Sequence, residues 1–187
     1  MQRLPVNDTY GPLIVECLNN NRLAQKELYE RLSSRMFSVC IRYVGNRETA
    51  KDILHDGFIV LFSKLNTFKG DGSFEGWARR IFINTALMYM RKADVLKFSE
   101  EIESSSAVDF KIGPVAIEKL EAEMLMKLVA AMPSGFRTVF NMYAIEGYSH
   151  QEIAKELNIT EGGSRSQLSR ARLWLQERLR DYENKNK

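Results

Sequence analysis

Basic and hydroxyl side chains recur in one short stretch near the C-terminal end of the sequence. The stretch reads Arg165-Ser-Gln-Leu-Ser-Arg-Ala-Arg172. Arginine can bond to a guanine edge, and serine hydroxyls bond to bases or phosphates. The candidate DNA-contacting residues are Arg165, Ser166, Ser169, Arg170 and Arg172. Their chemistry predicts duplex DNA binding, with a merely solvated charged face as the alternative.

Two capping patterns place these residues on the second of two helices. Ser149 followed by Glu152 is a capping box, which predicts the start of a helix. Ser164 followed by Gln167 is interpreted as a second box, after the Gly-containing turn 158–163. The second helix then has a buried stripe of Leu168, Ala171, Leu175 and Leu179. This is the helix-turn-helix arrangement, in which the second helix enters the major groove.

Aromatic and basic residues alternate in a second stretch, which is predicted to be a helix from Phe74 to about Lys92. Asp71 or Ser73 can cap its start. Aromatic rings stack on unpaired bases while neighbouring cations bind phosphates, so the stretch suits single-stranded DNA. The candidate nucleic-acid contacts in this stretch and just before it are Phe68, Lys69, Arg79, Arg80, Asn84, Tyr89, Arg91 and Lys92. For Trp77 and Phe82, core packing is the favoured interpretation.

Apolar residues at helical spacing predict the remaining elements. Helices are expected over about 12–20, 23–44 and 48–65, and in two further segments that end near Met132 and Gly147. The first should bury Leu13, Ile14, Cys17 and Leu18, and the second Leu28, Leu32, Met36, Val39, Cys40 and Tyr43. The last segment is marked by Phe136, Val139, Phe140 and Tyr143, and its phenylalanines should fill the core.

The helix predicted over 48–65 leaves polar residues on its outer side. These are Asp52, His55 and Asp56, which form either a solvated face or an interaction face. Gly57 lies within the same helix, where glycine costs about 1 kcal/mol relative to alanine. Its presence suggests the close approach of another backbone.

Composition narrows the class of protein. The chain has 187 residues, a formal net charge of +3 and 44% hydrophobic residues. These values fit one or two small domains that meet DNA on selected faces. Cys17 and Cys40 have no metal-ligand neighbours and are expected in the core. No signal peptide or apolar run of about 18 residues is present, which predicts a soluble, cytoplasmic chain. The sequence has no Gly-rich phosphate loop and no metal-spaced cluster, so neither a metal nor a cofactor is expected.

The segment Ala93–Val115 is predicted to be a linker. Ser99–Ser106 is polar and acidic, and Gly113-Pro114 prevents a helix from continuing. We therefore expect an all-α protein with two small helical domains, 1–94 and 116–187, joined by a flexible linker, 95–115.

Two groups of residues resemble the extracytoplasmic-function (ECF) group of the sigma-70 family. Glu152-Ile-Ala-x-x-Leu157, Glu161-Gly162 and Arg165-Ser-x-Leu-x-Arg-Ala-Arg172 resemble region 4. Ala50-Lys-Asp-Ile-Leu-His-Asp-Gly-Phe58, with Ser73-Phe74, Trp77, Arg80-Ile81 and Asn84-Thr85-Ala86, resembles region 2. Three departures are Gly163 for the usual threonine, His55 for glutamine and Gly57 for an aliphatic residue. Ser164 is expected to take over the cap from Gly163.

The resemblance implies a sigma factor and assigns roles by position. Asp52, His55 and Asp56 would bind the coiled coil of the largest subunit of RNA polymerase core. Melting of the −10 element would involve Lys69, Ser73, Trp77, Arg80, Asn84, Arg91 and Lys92. Arg165, Ser166, Ser169, Arg170 and Arg172 would read the −35 element of promoter DNA. The linker would thread the polymerase cleft, unless it is a plain tether.

The same resemblance implies an anti-sigma factor as a partner, often membrane-anchored, and no small-molecule substrate. A dimeric one-component regulator that does not bind polymerase core is the alternative, and it predicts a symmetric footprint. An enzyme is disfavoured, because His55 and His150 lie far apart in the sequence with no nucleophile motif beside either.

Overall fold

The computed structural model of the protein describes residues 9–92 and 117–185. These residues form helices and turns, so the all-α class predicted from the sequence is confirmed. The predicted linker 95–115 lies outside the described residues. Within the described ranges, no helix has both the length and the apolar character required to cross a bilayer.

Within each described range, the helices follow one another with short connections. They are α1 (Gly11–Leu18), α2 (Arg22–Val44), α3 (Arg47–Lys64), α4 (Phe74–Lys92), α5 (Ile117–Ala131), α6 (Ser134–Phe140), α7 (His150–Leu157) and α8 (Glu161–Lys185). A 3-10 turn, Leu65–Thr67, follows α3, and a π turn, Asn141–Ile145, continues α6. The contacts divide the chain into two units. The first consists of α1 to α4 without residues 42–46 and 91–92, and α5 to α8 belong to the second.

The core of the first unit follows the apolar spacing of the sequence. The α2 residues predicted to be inside are all buried: Leu28, Leu32, Met36, Val39, Cys40 and Tyr43. In α1, Ile14 and Cys17 are buried as predicted, but Leu18 is 44% exposed, so that prediction was wrong. Helical geometry puts Leu18 about 70° from the midpoint between Ile14 and Cys17.

Gly57 is the point of closest packing between α3 and α4. A Cβ at this position would lie 2.3 Å from Cδ1 of Phe82. The Phe82 ring is fully buried and meets Phe58 edge-on, with ring centroids 5.1 Å apart. The glycine therefore makes room for an aromatic ring, and not for a neighbouring backbone as the sequence suggested.

The second unit packs α5 and α6 against α8. Val129, Met132 and Ala171 are buried together, and Phe136, Phe140, Trp174 and Leu175 pack around them. Arg137 joins the end of α5 to α6, because its guanidinium donates to the carbonyls of Ala130 at 2.6 Å and Met132 at 3.2 Å. Burial lowers the pKa of Arg137 to about 10, which still leaves the side chain charged at neutral pH.

Replacing Gly57 with alanine should destabilise the first unit. Alanine gains roughly 0.5–1 kcal/mol of helix propensity. Overpacking of a filled core costs typically 1–3 kcal/mol, and the added Cβ would overlap the fully buried Phe82 ring. We expect a lower midpoint of urea unfolding for Gly57→Ala.

Gly162→Ala is the matched control, because the nearest atom to its added Cβ is 4.0 Å away. This variant should be unchanged or slightly more stable. Equal midpoints for Gly57→Ala and wild type would contradict the packing argument.

Candidate nucleic-acid interface and polymerase-binding face

The start of α7 is fixed by the capping box that the sequence predicts. Ser149 Oγ accepts from the Glu152 backbone N–H at 3.2 Å, and Glu152 Oε2 accepts from the Ser149 N–H at 2.8 Å. Asn158 ends the helix in the left-handed region, with φ of +54°. The helix that leads into the turn therefore has defined ends.

The prediction of a second capping box at Ser164 was wrong. α8 begins three residues earlier, at Glu161, and the Gly163 N–H donates to Thr160 Oγ1 at 2.9 Å. Gly163 continues the helix despite its low propensity. Ser164 is fully buried, with its hydroxyl 2.9 Å from Nδ1 of His150. Thr160 is therefore the cap, and Ser164 joins the two helices of the motif.

The candidate DNA-reading residues are all exposed on α8. They are Arg165, Ser166, Ser169, Arg170 and Arg172. Helical geometry puts Arg165, Ser169 and Arg172 in one stripe, and Ser166 and Arg170 in an adjacent one. Arg165 also forms an ion pair with Glu161 at the start of the helix. The helix thus presents two parallel rows of donors on one broad face.

Tyr143 lies beside this surface, and its side chain is 36% exposed. It has the same helical spacing as the buried Val139, but the π turn, Asn141–Ile145, interrupts that spacing. The Tyr143 ring stacks on His150, with centroids 4.5 Å apart, and Arg172 lies over it. Only the π turn places it here, and the sequence pattern does not signal that turn.

The candidate −10 residues of α4 lie mostly along one stripe. Helical geometry places Ser73, Trp77, Arg80, Asn84 and Arg91 within about 60° of one another. Of these, Ser73, Arg80, Asn84 and Arg91 are exposed, while Trp77 is half-buried. Ser73 also caps the helix, as predicted, by accepting from the Gly76 N–H at 3.1 Å.

The other two candidates for the −10 surface flank this stripe. Lys92 is exposed but is about 100° from Arg91 around the helix. Lys69 is exposed in the loop that precedes α4. Gly70 and Gly72 give that loop its shape, with φ of +81° and +89°.

An aromatic cluster supports the beginning of α4. Phe68 is 5% exposed, and its ring centroid lies 5.2 Å from Phe74 and 5.4 Å from Trp77. Phe68 is thus a core residue, and the expectation that it meets nucleic acid was wrong. Its packing, together with that of Phe74, holds Trp77 at the edge of the stripe. Tyr89, another aromatic candidate for nucleic-acid contact, is 40% exposed.

The outer side of α3 carries the three candidate polymerase-binding residues. Asp52, His55 and Asp56 are all exposed. Ile59 occupies the middle of the same side and is 57% exposed, a feature that the sequence analysis missed. Its spacing from Asp52, His55 and Asp56 (i+7, i+4 and i+3) was the available signal. Among the described residues, no group of three potential metal ligands comes together.

Comparison with known families identifies both units. The pattern described as Sigma-70 region 2 matches residues 28–95, and the pattern described as Sigma-70, region 4 matches residues 122–175. The chain belongs to the sigma-70 family, in its ECF group. It is a sigma factor, which binds RNA polymerase core and directs it to promoters. The family is not a catalytic one.

Relatives agree with this assignment. The chain is 24% identical to the ECF RNA polymerase sigma-E factor of Haemophilus influenzae over 177 residues, covering 89% of this chain and 93% of that protein. It is 27% identical to the ECF RNA polymerase sigma-E factor of Escherichia coli (strain K12) over 155 residues, covering 78% and 81%.

A solved structure shares the fold. It is the sigma factor RpoE of Bartonella quintana in complex with the anti-sigma factor NepR. The match has a TM-score of 0.52 and 21% identity, and it covers 83% of this chain and 96% of that one.

Substitution of Thr160 should destabilise the recognition helix of this sigma factor. Thr160→Val keeps the shape of the side chain but removes the acceptor for the Gly163 N–H, and loss of an N-cap costs about 1 kcal/mol. Thermal unfolding followed by circular dichroism should show a lower midpoint for Thr160→Val. Thr160→Ser keeps the hydroxyl and should unfold as wild type does; equal midpoints for all three would exclude Thr160 as the cap.

Proposed function

We propose that this sigma factor divides its work among three exposed surfaces. The outer side of α3 binds polymerase core, the α4 stripe engages the opened −10 element, and α8 reads the −35 duplex. The observation that carries the proposal is that the candidate sets lie on different helices, with all members exposed on α3 and α8 and all but the half-buried Trp77 exposed on α4 and the loop before it. Residues 1–94 act as the region 2 domain, 95–115 as a linker and 116–187 as the region 4 domain.

The α3 surface is suited to a basic protein partner. Asp52 and Asp56 provide negative charge on the same side as the exposed Ile59, about two turns and one turn before it. Burial of Ile59 would contribute affinity, while the acids select a complementary partner and accelerate association. A basic surface with an apolar centre on the coiled coil of the largest subunit fits this chemistry.

The α4 stripe has the groups that single-stranded DNA requires. Arg80 and Arg91 supply charges for phosphates, and Asn84 can bond to the edge of a base. Trp77 offers a partly exposed ring for stacking, which contributes about 1–3 kcal/mol per base. Lys69 and Ser73 lie at the end of the stripe where a flipped base would enter. These residues form one line along α4, which suits contact with a single DNA strand and not insertion into the groove of a duplex.

The α8 surface is suited to duplex DNA. Its exposed arginines and serines occupy the first three turns, which is the part of a recognition helix that enters the major groove. Arginine selects guanine by its paired acceptors, and the serines bond to bases or phosphates. The region 2 match disfavours the alternative of a one-component dimeric regulator, since such a regulator has no need of a polymerase-binding domain.

The remaining assignments follow from the sigma factor role. The chain has no catalytic activity of its own and acts in the cytoplasm, where polymerase and chromosome are located. An anti-sigma factor, in many such systems membrane-anchored, is its regulatory partner. The Bartonella quintana sigma factor was solved with such a partner, NepR, which supports this proposal.

Run-off transcription from a library of genomic fragments tests the function as a whole. Core polymerase with this chain should give discrete transcripts that core alone does not produce. If the two transcript profiles are identical, the sigma factor assignment fails for this chain.

Charge reversal on α3 should abolish binding to polymerase core. Asp52→Arg with Asp56→Arg replaces two acids by two bases on the proposed interface. Like charges placed across an interface cost several kcal/mol, so co-purification with core polymerase should be lost. The free variant should unfold as wild type does, because both residues are exposed.

Glu27→Arg with Glu30→Arg is a matched control on the exposed side of α2. It makes the same change in net charge at a different surface, and core binding should persist. Undiminished binding of the α3 variant would remove Asp52 and Asp56 from the interface. Loss of binding in both variants would mean that net charge, and not this face, controls association.

Loss of an arginine from α8 should weaken −35 recognition alone. Arg165→Ala and Arg172→Ala each remove one cation from the proposed DNA face, and a good base contact contributes about 1–3 kcal/mol of discrimination. Protection of the −35 element in footprinting should fall, while binding to core polymerase should not change. Normal footprints for both variants would contradict the assignment of α8.

A further inference from the structure

The part of the −35 surface that the sequence analysis missed is a chain of contacts beside α8. It consists of Ser164, His150, Tyr143 and Arg172, in that order of contact. We propose that Tyr143 is a positioning residue that orders the guanidinium of Arg172 for contact with the −35 duplex. The inference rests on the proposed DNA-reading role of α8 and adds to it a residue from outside the recognition helix.

The first observation is the contact between Arg172 and Tyr143. Cζ of Arg172 lies over the Tyr143 ring, 5.9 Å from its centroid. Attraction between a cation and an aromatic face extends to about 6 Å. Both side chains remain exposed, so the guanidinium is ordered without being withdrawn from solvent.

The second observation is what holds the Tyr143 ring. It stacks on His150, with centroids 4.5 Å apart and planes inclined by 21°. Nδ1 of His150 lies 2.9 Å from the hydroxyl of Ser164, which is fully buried in the first turn of α8. The contacts therefore leave α8 at Ser164 and return to it at Arg172. This closed path sets the position of the Arg172 guanidinium relative to the helix that carries the other DNA-reading residues.

The third observation is that Arg172 differs from Arg165 in how it is restrained. Arg165 forms an ion pair with Glu161, whose carboxylate occupies N–H donors. Within the described part of the chain, Arg172 has no acidic partner, and contact with an aromatic face leaves its donors available. Pre-ordering a long side chain removes part of the entropy that would be lost when DNA binds. Tyr143 therefore provides order without neutralising the charge.

The experiment measures binding of the holoenzyme to a promoter duplex recovered from the run-off screen. Affinity is measured over a series of salt concentrations for wild type, Tyr143→Leu, Tyr143→Phe, Arg172→Ala and the Tyr143→Leu/Arg172→Ala double variant. Tyr143→Leu should bind about two- to fivefold more weakly, which is the range of an exposed cation–π contact. Tyr143→Phe keeps the aromatic face and should bind as wild type does.

The double variant separates positioning from a general structural effect. If Tyr143 acts through Arg172, the double variant should bind as weakly as Arg172→Ala alone, because both substitutions weaken the same contact between Arg172 and DNA. The slope of log affinity against log salt should fall in magnitude by about 0.9 for Arg172→Ala if that residue contacts a phosphate. Tyr143→Leu should show an intermediate slope.

Arg178→Ala is the matched control, since Arg178 also lies over a ring on α8, 5.4 Å from the centroid of Trp174. It lies beyond the proposed DNA face and should leave affinity unchanged. Thermal unfolding confirms that each variant is folded, and Tyr143→Gln replaces Tyr143→Leu if the latter does not fold. Unchanged affinity for Tyr143→Leu or Arg172→Ala, or additive losses in the double variant, would overturn the inference. Failure of the wild-type holoenzyme to select any promoter would instead overturn the proposed function, and the inference with it.

Discussion

The contact between Gly57 and Phe82 determines how the first unit can present two functional surfaces. Gly57 is about 150° around α3 from the centre of the face formed by Asp52, His55, Asp56 and Ile59. Phe82 is likewise nearly opposite the exposed stripe of α4. Because a ring fills the space that a Cβ would need, the two helices meet closely with their inner sides. The two outer sides therefore point away from each other, so the proposed polymerase-binding face and the proposed −10 stripe do not overlap.

Much of this arrangement could be predicted from the sequence, for a definite physical reason. The apolar stripe of α2 is long and continuous, and burial follows a period of 3.6 residues wherever the helix is regular. The Ser149 cap was equally predictable, because both halves of its hydrogen-bond exchange are encoded by residues three apart. These are local rules, and they held where the local geometry was ordinary.

The failures occurred where a tertiary contact or an irregular turn decided the outcome. Ser164 has the residue type of a cap, but its burial against His150 makes it a contact between helices, and Thr160 takes the capping role. Tyr143 has the spacing of a core residue, but the π turn rotates it outwards. The aromatic residues in and just before α4 indicated nucleic-acid contact in general, yet the sequence favoured contact for Phe68, which is buried, and core packing for Trp77, which is partly exposed. In each case the deciding information came from a partner or a turn that spacing alone does not specify.

Arg165 and Arg172 of α8 are restrained in different ways. They show that a binding side chain can be held in place with or without its N–H donors being occupied. Glu161 favours the helix, since an acid in the first turn interacts well with the helix dipole, and its ion pair restrains Arg165. An exposed pair of this kind contributes only about 0–1 kcal/mol, so a phosphate can displace the carboxylate at small cost. An aromatic face needs no displacement, so in the proposed DNA contact Arg172 is the arginine that is already in place. A helix with both kinds of restraint can keep its arginines ordered in free solution without losing their charge for DNA.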